Sequence, residues 1–320
     1  MKKFTLFLIA LLSFNFLHAQ FQIISLDKVE EIKNSKLVVG LTGDKAIDDA
    51  IIAAVNEFWE ISEIGEPMPV DEALQLAKND NSITVIKTGE KIVMSPTHTK
   101  YSYQSSTKSI GTKDYTSNSF DKYSSYQTVT ISKTLELSNG KTKPSFTQYI
   151  PTFGEEENVT QEIIAFGISA MNYQLKLMSD NHLPVTKIKG QYKKYSPELK
   201  SAKLLIPEGW VDKKTTSETI KEYYNANAEI VTYDVWRKAI LNREYGDAYV
   251  MICPYPMGNG YVYQHYLMDA KTGNVYAVLQ NPGASVKIGF GKSANLSKGN
   301  SGYVNKKNLE DYNNVLEGKW

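Results

Sequence analysis

The sequence is poor in the residues that build covalent cross-links, metal sites and nucleophilic active sites. Its 320 residues include one cysteine and four histidines. The single cysteine, Cys253, cannot form an intramolecular disulfide, and its apolar surroundings, AYVMICPY, favour a small buried core residue over a reactive thiol. Stability must therefore come from burial of apolar surface, which a chain of this length can supply, and the length favours two domains.

No pattern in the sequence predicts catalysis or cofactor binding. His98, His182 and His265 do not stand at metal-ligand spacing from another histidine, a cysteine or a carboxylate. No Gly-x-Ser-x-Gly motif is present. Asp48 and Asp49 are neighbours on a predicted helix, where successive side chains point about 100° apart, so we do not expect them to face one site. We predict no catalytic residue, no cofactor and no metal.

Excess charge and long apolar runs are also scarce. The formal net charge is +1, which does not favour binding to nucleic acid or to anionic lipid. The one long apolar run, FTLFLIALLSFNFL, follows the basic start Met1-Lys2-Lys3 and precedes Ala19, the pattern of a secretory signal peptide. It is short for a membrane-spanning helix, which needs about 20 residues. We expect cleavage of residues 1–19 and an exported protein, periplasmic or secreted, with no transmembrane segment.

The rest of the chain consists of two halves with one order of predicted elements. Each half opens with an apolar strand pattern, KLVVGL from Lys36 and KLLIP from Lys203, and continues as helix, strand, helix, strand. Apolar residues at three- and four-residue spacing predict the helices. These predicted helices cover residues 44–58 and 70–79 in the first half and 216–225 and 234–244 in the second. A further helix is predicted from Asn158.

Each half then turns to hairpins. In the first half SNGK separates two strand patterns, and in the second half DAKTG does so. Asp269 can accept hydrogen bonds from the amides that follow it and Gly273 can supply a positive φ, so we interpret Asp269 as a turn residue and not as a catalytic acid.

The order of elements predicts an α/β (α+β) fold. We expect two similar β-α-β-α-β-β-β domains, each a mixed sheet with helices packed on it. The first domain is placed at residues 20–195 and the second at residues 196–320. The basic, proline-containing stretch 182–200 is the predicted linker between them.

The repeated order, with its Asp…Thr-Gly hairpin turn, resembles a group of periplasmic domains. The residues that carry the resemblance are KLLIP, AEIVTYDVWRKAIL, AYVMICP and YLMDAKTGNVYAV, and more weakly KLVVGL, FWEISEI and VDEALQLA. The group comprises domains of the curli-secretion channel subunit, the penicillin-binding-protein activator lipoproteins and the amino-terminal domain of the Tol translocation protein. The resemblance implies an anticodon-binding-like α/β fold and a binding or scaffolding role without catalytic residues. The chain lacks the lipidation cysteine of the lipoprotein members.

A polar insert occupies residues 97–126 of the first half. Eighteen of these 30 residues are Ser, Thr or Tyr, too little aliphatic content for a separate core, so the insert is predicted to be a surface loop or a long polar hairpin. Its tyrosines combine rigid aromatic area with adaptable hydroxyls, a composition typical of binding surfaces. The candidate binding residues are Tyr101, Tyr103, Tyr115, Tyr123 and Tyr126.

These observations favour a function without catalysis. We predict an exported envelope protein that binds or scaffolds another envelope component, either a protein or a glycan. One alternative is a small-molecule-binding protein that uses the cleft between the two halves. The other is a hydrolase or thiol enzyme whose residues converge only in the fold.

Overall fold

The structure is a computed structural model that describes most of the chain. The described residues are 24–94, 98–110, 113–126, 129–141, 143–151, 159–243, 247–257, 260–280, 284–288, 292–297 and 302–320. Side chains of residues 93–131, 256–261 and 284–297 lie outside this description. The predicted signal peptide, residues 1–19, also lies outside the described residues.

The first half forms one module around a mixed sheet. Its elements in chain order are α1 (Leu26–Lys33), β1 (Lys36–Leu41), α2 (Lys45–Phe58), β2 (Glu63–Ile64), β3 (Met68–Pro69), α3 (Val70–Asn79), β4 (Ile83–Met94), β5 (His98–Ile110), β6 (Lys113–Tyr126), β7 (Val129–Ser138), β8 (Phe146–Tyr149) and α4 (Gln161–Asn181). Helix α2 is capped by Asp44, whose side chain accepts hydrogen bonds from the amides of Ala46 and Ile47.

The second half forms a second module after a helical connection. The elements are α5 (Val185–Tyr195), a 3₁₀ turn (Ser196–Ser201), β9 (Lys203–Pro207), a 3₁₀ turn (Glu208–Trp210), α6 (Ser217–Tyr223), β10 (Ala228–Val231), α7 (Tyr233–Asn242), β11 (Asp247–Met257), β12 (Gly260–Asp269), β13 (Val275–Gln280), β14 (Ala284–Ile288), β15 (Lys292–Ser297) and α8 (Lys306–Leu316). No helix among the described residues is long and apolar enough to cross a membrane.

The two sheets have the same topology, which confirms the predicted α/β fold with two mixed sheets. The strand orders are β2-β1-β4-β7-β8 and β10-β9-β11-β12-β13. Strand β1 pairs in parallel with β2, β3 and β4, strand β9 pairs in parallel with β10 and β11, and the remaining pairs of both sheets are antiparallel. The likeness extends one helix beyond the predicted repeat, because α4 packs on α2 and α8 packs on α6.

The modules meet through non-equivalent sides. In the first module α2, the helix after the opening strand, contributes Ile51 and Val55 to a core shared by both modules. In the second module the corresponding helix, α6, lies on the outer side, where Ile220 packs with α8 in a separate cluster. The second module instead contributes α7 to the shared core, through Trp236 and Ile240.

Helix α4 lies at the centre of the shared core. Sixteen of its 21 residues are buried. It packs against α1 and α2 on one side and against α5 and α7 on the other. A helix that is apolar nearly all round is stable only when it is enclosed in this way.

The stretch predicted to be a linker is helical. Residues 185–201 form α5 and a 3₁₀ turn. Ile188 and Tyr192, four residues apart, are buried in the shared core, and this apolar spacing outweighs the basic composition that suggested a linker. The predicted domain boundary near residue 195 falls where α5 ends.

The β12–β13 turn confirms the interpretation of Asp269. Its Oδ1 accepts hydrogen bonds from the Thr272 amide at 2.7 Å and the Thr272 hydroxyl at 2.9 Å, and its Oδ2 accepts one from the Tyr276 hydroxyl at 2.6 Å. Gly273 has a φ of 71°. A Cβ on Gly273 would lie 2.7 Å from Cβ of Ser169, on α4 of the other module. The turn is therefore a close contact between the modules.

We expect Gly273→Ala to lower the free energy of unfolding by about 2–4 kcal/mol, because alanine is strained at positive φ and its methyl group has no room against Ser169. Urea unfolding would measure the change. The matched control is Gly190→Ala, an exposed position in α5 with no atom within 4 Å of an added Cβ. This control should gain up to about 1 kcal/mol from better helix propensity. Equal effects of the two substitutions would contradict the prediction.

Candidate functional site

The polar insert forms a long antiparallel hairpin. Strands β5 and β6 pair with each other, and no third strand among the described residues pairs with either. The hairpin follows the β4–β7 pairing, which ends at Met94 opposite Val129. In the second module the equivalent hairpin, β11–β12, ends at Met257 opposite Gly260. The insert thus lengthens a hairpin that both modules share, and its 13-residue strand β5 alone rises about 43 Å.

The five candidate tyrosines all lie on this hairpin. Four of them have a register partner on the facing strand, in the pairs Tyr101–Lys122, Tyr103–Phe120, Lys108–Tyr115 and His98–Tyr126. Tyr123 lies beside a register shift, opposite the step from Lys100 to Tyr101. The side chains of these tyrosines lie outside the described residues, and their binding role stays a prediction.

The structure places Cys253 in the core, where its thiol is unreactive. It is fully buried in the shared core, and burial raises the pKa of its thiol well above the usual range. A protonated, enclosed thiol is a poor nucleophile. His265, on the neighbouring strand, cannot serve as its base, because His265 Nδ1 is hydrogen-bonded to the Tyr312 hydroxyl at 2.6 Å in the cluster on the opposite face of the sheet.

The two adjacent aspartates of α2 do not share a site, as predicted. Asp48 accepts hydrogen bonds from the amides of Thr42 and Gly43 at 2.8 and 3.0 Å and holds the loop before the helix. Asp49 is paired with Lys45 on the exposed surface. In the described part of the chain, no group of three or more histidine, cysteine or acidic side chains is arranged to hold a metal ion.

A groove runs along the junction of the two modules, between α2, α4 and α7. It contains two adjoining cavities of about 270 and 190 Å³. Glu57, Phe58 and Arg243 line both cavities and mark the boundary between them. From the sequence, a ligand-binding cleft between the halves was expected only as an alternative to the envelope-binding function. No residue of that cleft was predicted.

The larger cavity is lined on one side by small and aliphatic side chains, and Gln161, Asn242, Glu57 and Arg243 complete its lining. Three alanines of α2 and one of α4 line it, opposite Ile240 and Leu241 of α7. The four alanines are Ala50, Ala53, Ala54 and Ala165. Because these side chains end at Cβ, the helices leave open space where longer side chains would close it.

The smaller cavity is lined mainly by polar and charged side chains. Arg243 pairs with Glu57, and Lys176 pairs with Glu60, so each cation is matched by a carboxylate. Asn172 is 7% exposed, and its Oδ1 accepts a hydrogen bond from the Glu60 amide at 2.9 Å. Among the described residues, no acceptor is bonded to its Nδ2.

Arg243 is held in place by three separate contacts. It ends α7 in the left-handed conformation, with φ of 52°. Its Nε donates to the Lys271 carbonyl, its guanidinium pairs with Glu57, and Cζ lies 5.1 Å from the centroid of the Phe58 ring. These contacts join α7, the β12–β13 turn and α2 at the groove.

A buried carboxylate lies on the same junction, at the start of α4. The side chain of Glu162 is 0% exposed and accepts hydrogen bonds from the hydroxyls of Thr160 and Tyr233 and from Arg237 Nε at 3.2 Å. Burial, together with the bond to Glu162, raises the pKa of Tyr233 to about 12, so its hydroxyl donates at neutral pH. Sequence reasoning missed this cluster, although an acid directly before Ile163 and Ile164 in an apolar helix is a signal.

Comparison with known proteins identifies no relative. No family model, no curated protein and no solved structure matches the chain. The candidate sites are therefore argued from the geometry of the chain itself.

We expect Cys253 to resist alkylation in the native state, because its thiol is buried and protonated. Iodoacetamide treatment at pH 8 followed by intact-mass measurement should show no adduct on the folded protein and one adduct in guanidinium chloride. Rapid labelling of the native protein would contradict this placement and favour the thiol-enzyme alternative.

We expect Arg237→Met to lower the free energy of unfolding by about 2–3 kcal/mol, because it leaves the Glu162 carboxylate buried without its cation. Adding Glu162→Gln to this variant should restore part of the loss, since a neutral amide needs no counter-charge. Lys238→Met, an exposed position on the same helix, is the matched control and should change stability by less than about 0.5 kcal/mol. A double variant no more stable than Arg237→Met would show that charge burial is not the cause.

Proposed function

We propose that the protein is an exported, non-enzymatic envelope protein that binds or scaffolds another envelope component through the β5–β6 hairpin. The observation that carries this proposal is the asymmetry of the two modules. They share one sheet topology, yet only the first extends the common hairpin by two strands of 13 and 14 residues. An extension that adds nothing to the sheet is best explained by contact with a partner.

The two strands that lead into the hairpin are anchored in the first module at their far ends. Strands β4 and β7 lie at the centre of the sheet, and Ile86, Leu135 and Leu137 are buried in the shared core. Lys87 and Glu136 pair across the two strands at 2.7 Å. The hairpin therefore continues two strands whose far ends are buried in the core, while the stretch of β4 next to the hairpin is exposed at Glu90, Lys91 and Ile92.

The composition of the hairpin suits recognition of a polar partner. Tyrosines combine large contact area with a hydroxyl group, and serines and threonines add adaptable hydrogen bonds. With no third strand on either edge among the described residues, backbone amides and carbonyls are also free to pair with an extended partner segment. A protein surface and a glycan both offer the hydrogen-bonding groups that such a hairpin would meet.

Two further points support a role without catalysis. Among the described residues, the buried thiol of Cys253 does not support a thiol enzyme, and the separation of Asp48 from Asp49 does not support a paired-carboxylate site. The resemblance to periplasmic domains that bind or scaffold points the same way. The signal-peptide pattern at residues 1–19 supports export.

The test is to remove the tyrosines and follow partner capture. We expect the tagged mature protein to retain a reproducible envelope partner after in-cell cross-linking. Replacing Tyr101, Tyr103, Tyr115, Tyr123 and Tyr126 with serine should lower this capture at least about tenfold, as expected when several aromatic contacts are lost. The purified pair, or a glycan array if no protein is found, should reproduce the difference.

The matched control replaces two exposed tyrosines outside the hairpin, Tyr195 and Tyr303, with serine. It should leave partner capture unchanged. Thermal unfolding of every variant separates loss of binding from loss of folding. Equal capture by the wild-type protein and the five-tyrosine variant, with both folded, would overturn the proposal.

A further inference from the structure

We propose that the groove between the two modules is a second binding site, separate from the β5–β6 hairpin, and that it takes an amino acid or a short peptide with free termini and an apolar side chain. The larger, alanine-floored cavity receives the side chain. The smaller, charged cavity receives the ammonium and carboxylate groups. This inference does not depend on the function proposed for the hairpin.

The two cavities are matched in size and position to such a ligand. Their volumes are about 270 and 190 Å³ and they adjoin at Glu57, Phe58 and Arg243. Together they reach the range of small-molecule pockets, roughly 300–1,000 Å³. Alanines and Ile240 form an apolar wall beside a polar end. Small-molecule pockets are commonly built this way, because apolar contacts supply much of the affinity and a few polar groups fix the orientation of the ligand.

The charges around the smaller cavity select for a zwitterion. Two carboxylates, Glu57 and Glu60, and two cations, Lys176 and Arg243, line it. A ligand carboxylate can meet the cations while its ammonium group meets the carboxylates. A fatty acid or a phosphate would engage the cations but leave Glu57 and Glu60 without a counter-charge, and an amine alone would leave Lys176 and Arg243 without one.

The existing ion pairs can open to a ligand at small cost. The side chains of Lys176 and Glu60 are 46% and 60% exposed, and exposed pairs of this kind contribute about 0–1 kcal/mol. Lys176 can therefore exchange Glu60 for a ligand carboxylate. Arg243, fixed by the Lys271 carbonyl and Phe58, keeps its position when Glu57 turns to a ligand ammonium.

Asn172 adds a preformed polar contact. It is 93% buried, since its exposed fraction is 7%, and it lines the smaller cavity. Its Oδ1 is fixed by the Glu60 amide, so the amide group has one orientation. The Nδ2 group, which no acceptor among the described residues engages, is left to donate to a ligand carboxylate.

Titration calorimetry on the mature protein tests the ligand class. The probes are L-leucine, the dipeptide Leu-Leu, N-acetyl-leucine, leucine amide and N-acetyl-leucine amide. We expect heat of binding for the two probes with both termini free, and at least about tenfold weaker binding when either terminus is blocked, as expected for the loss of a charge-assisted hydrogen bond. Absence of binding for every probe, or equal binding of the blocked forms, would overturn the inference.

Variants test the location. Ala53 is exposed and lines the larger cavity, so Ala53→Phe should fill it and abolish binding, whereas Asn56→Phe, exposed on the same helix but away from the groove, should not. Lys176→Met should weaken binding about tenfold without disturbing the core. Binding that survives both Ala53→Phe and Lys176→Met would place the ligand elsewhere and overturn the inference.

A variant lacking residues 98–126 should bind as the wild type does, which keeps this test distinct from that of the hairpin.

Discussion

The burial of α4 is the constraint on which the rest of the structure depends. Sixteen of its 21 residues are buried, so the helix needs apolar partners on nearly every side. The first module supplies α1, α2 and the sheet on one side, and the second supplies α7 on the other, with α5 between the modules. The shared core, the close approach of Gly273 to Ser169 and the buried Glu162 cluster all follow from enclosing this one helix. The groove lies where α2 and α7 do not fully cover α4, because the alanines of α2 and α4 at this edge leave open space.

Local signals allowed much of the fold to be predicted. The helix Val70–Asn79 was predicted at its observed bounds, and α2, predicted over residues 44–58, is observed at Lys45–Phe58. These features depend on residues within one or two helical turns, where apolar spacing and capping act directly. The helix within the predicted linker was not foreseen, because basic residues obscured Ile188 and Tyr192, whose partners lie in elements far along the chain.

The sites could be predicted only in part, and for a physical reason. The insert was recognised from composition, which is a local property. The groove depends on pairs that folding brings together, such as Glu57 with Arg243 and Glu162 with Arg237, separated by 186 and 75 positions. Nothing in the neighbourhood of Arg243 in the sequence indicates that its partner is a glutamate on α2. Asp269 shows the opposite case, since its role is set by residues three and seven positions away.

The packing of the modules through non-equivalent sides has a consequence for how the chain folds. A polypeptide emerges from its amino terminus, so α4 is complete before any strand of the second sheet exists. Until β9 to β13 and α7 have formed, the side of α4 that faces the second module has no apolar partner. The first module therefore keeps apolar surface of α4 exposed for as long as the second module is missing. Completion of the core around α4 thus depends on the second half of the chain, although the two halves have the same sheet.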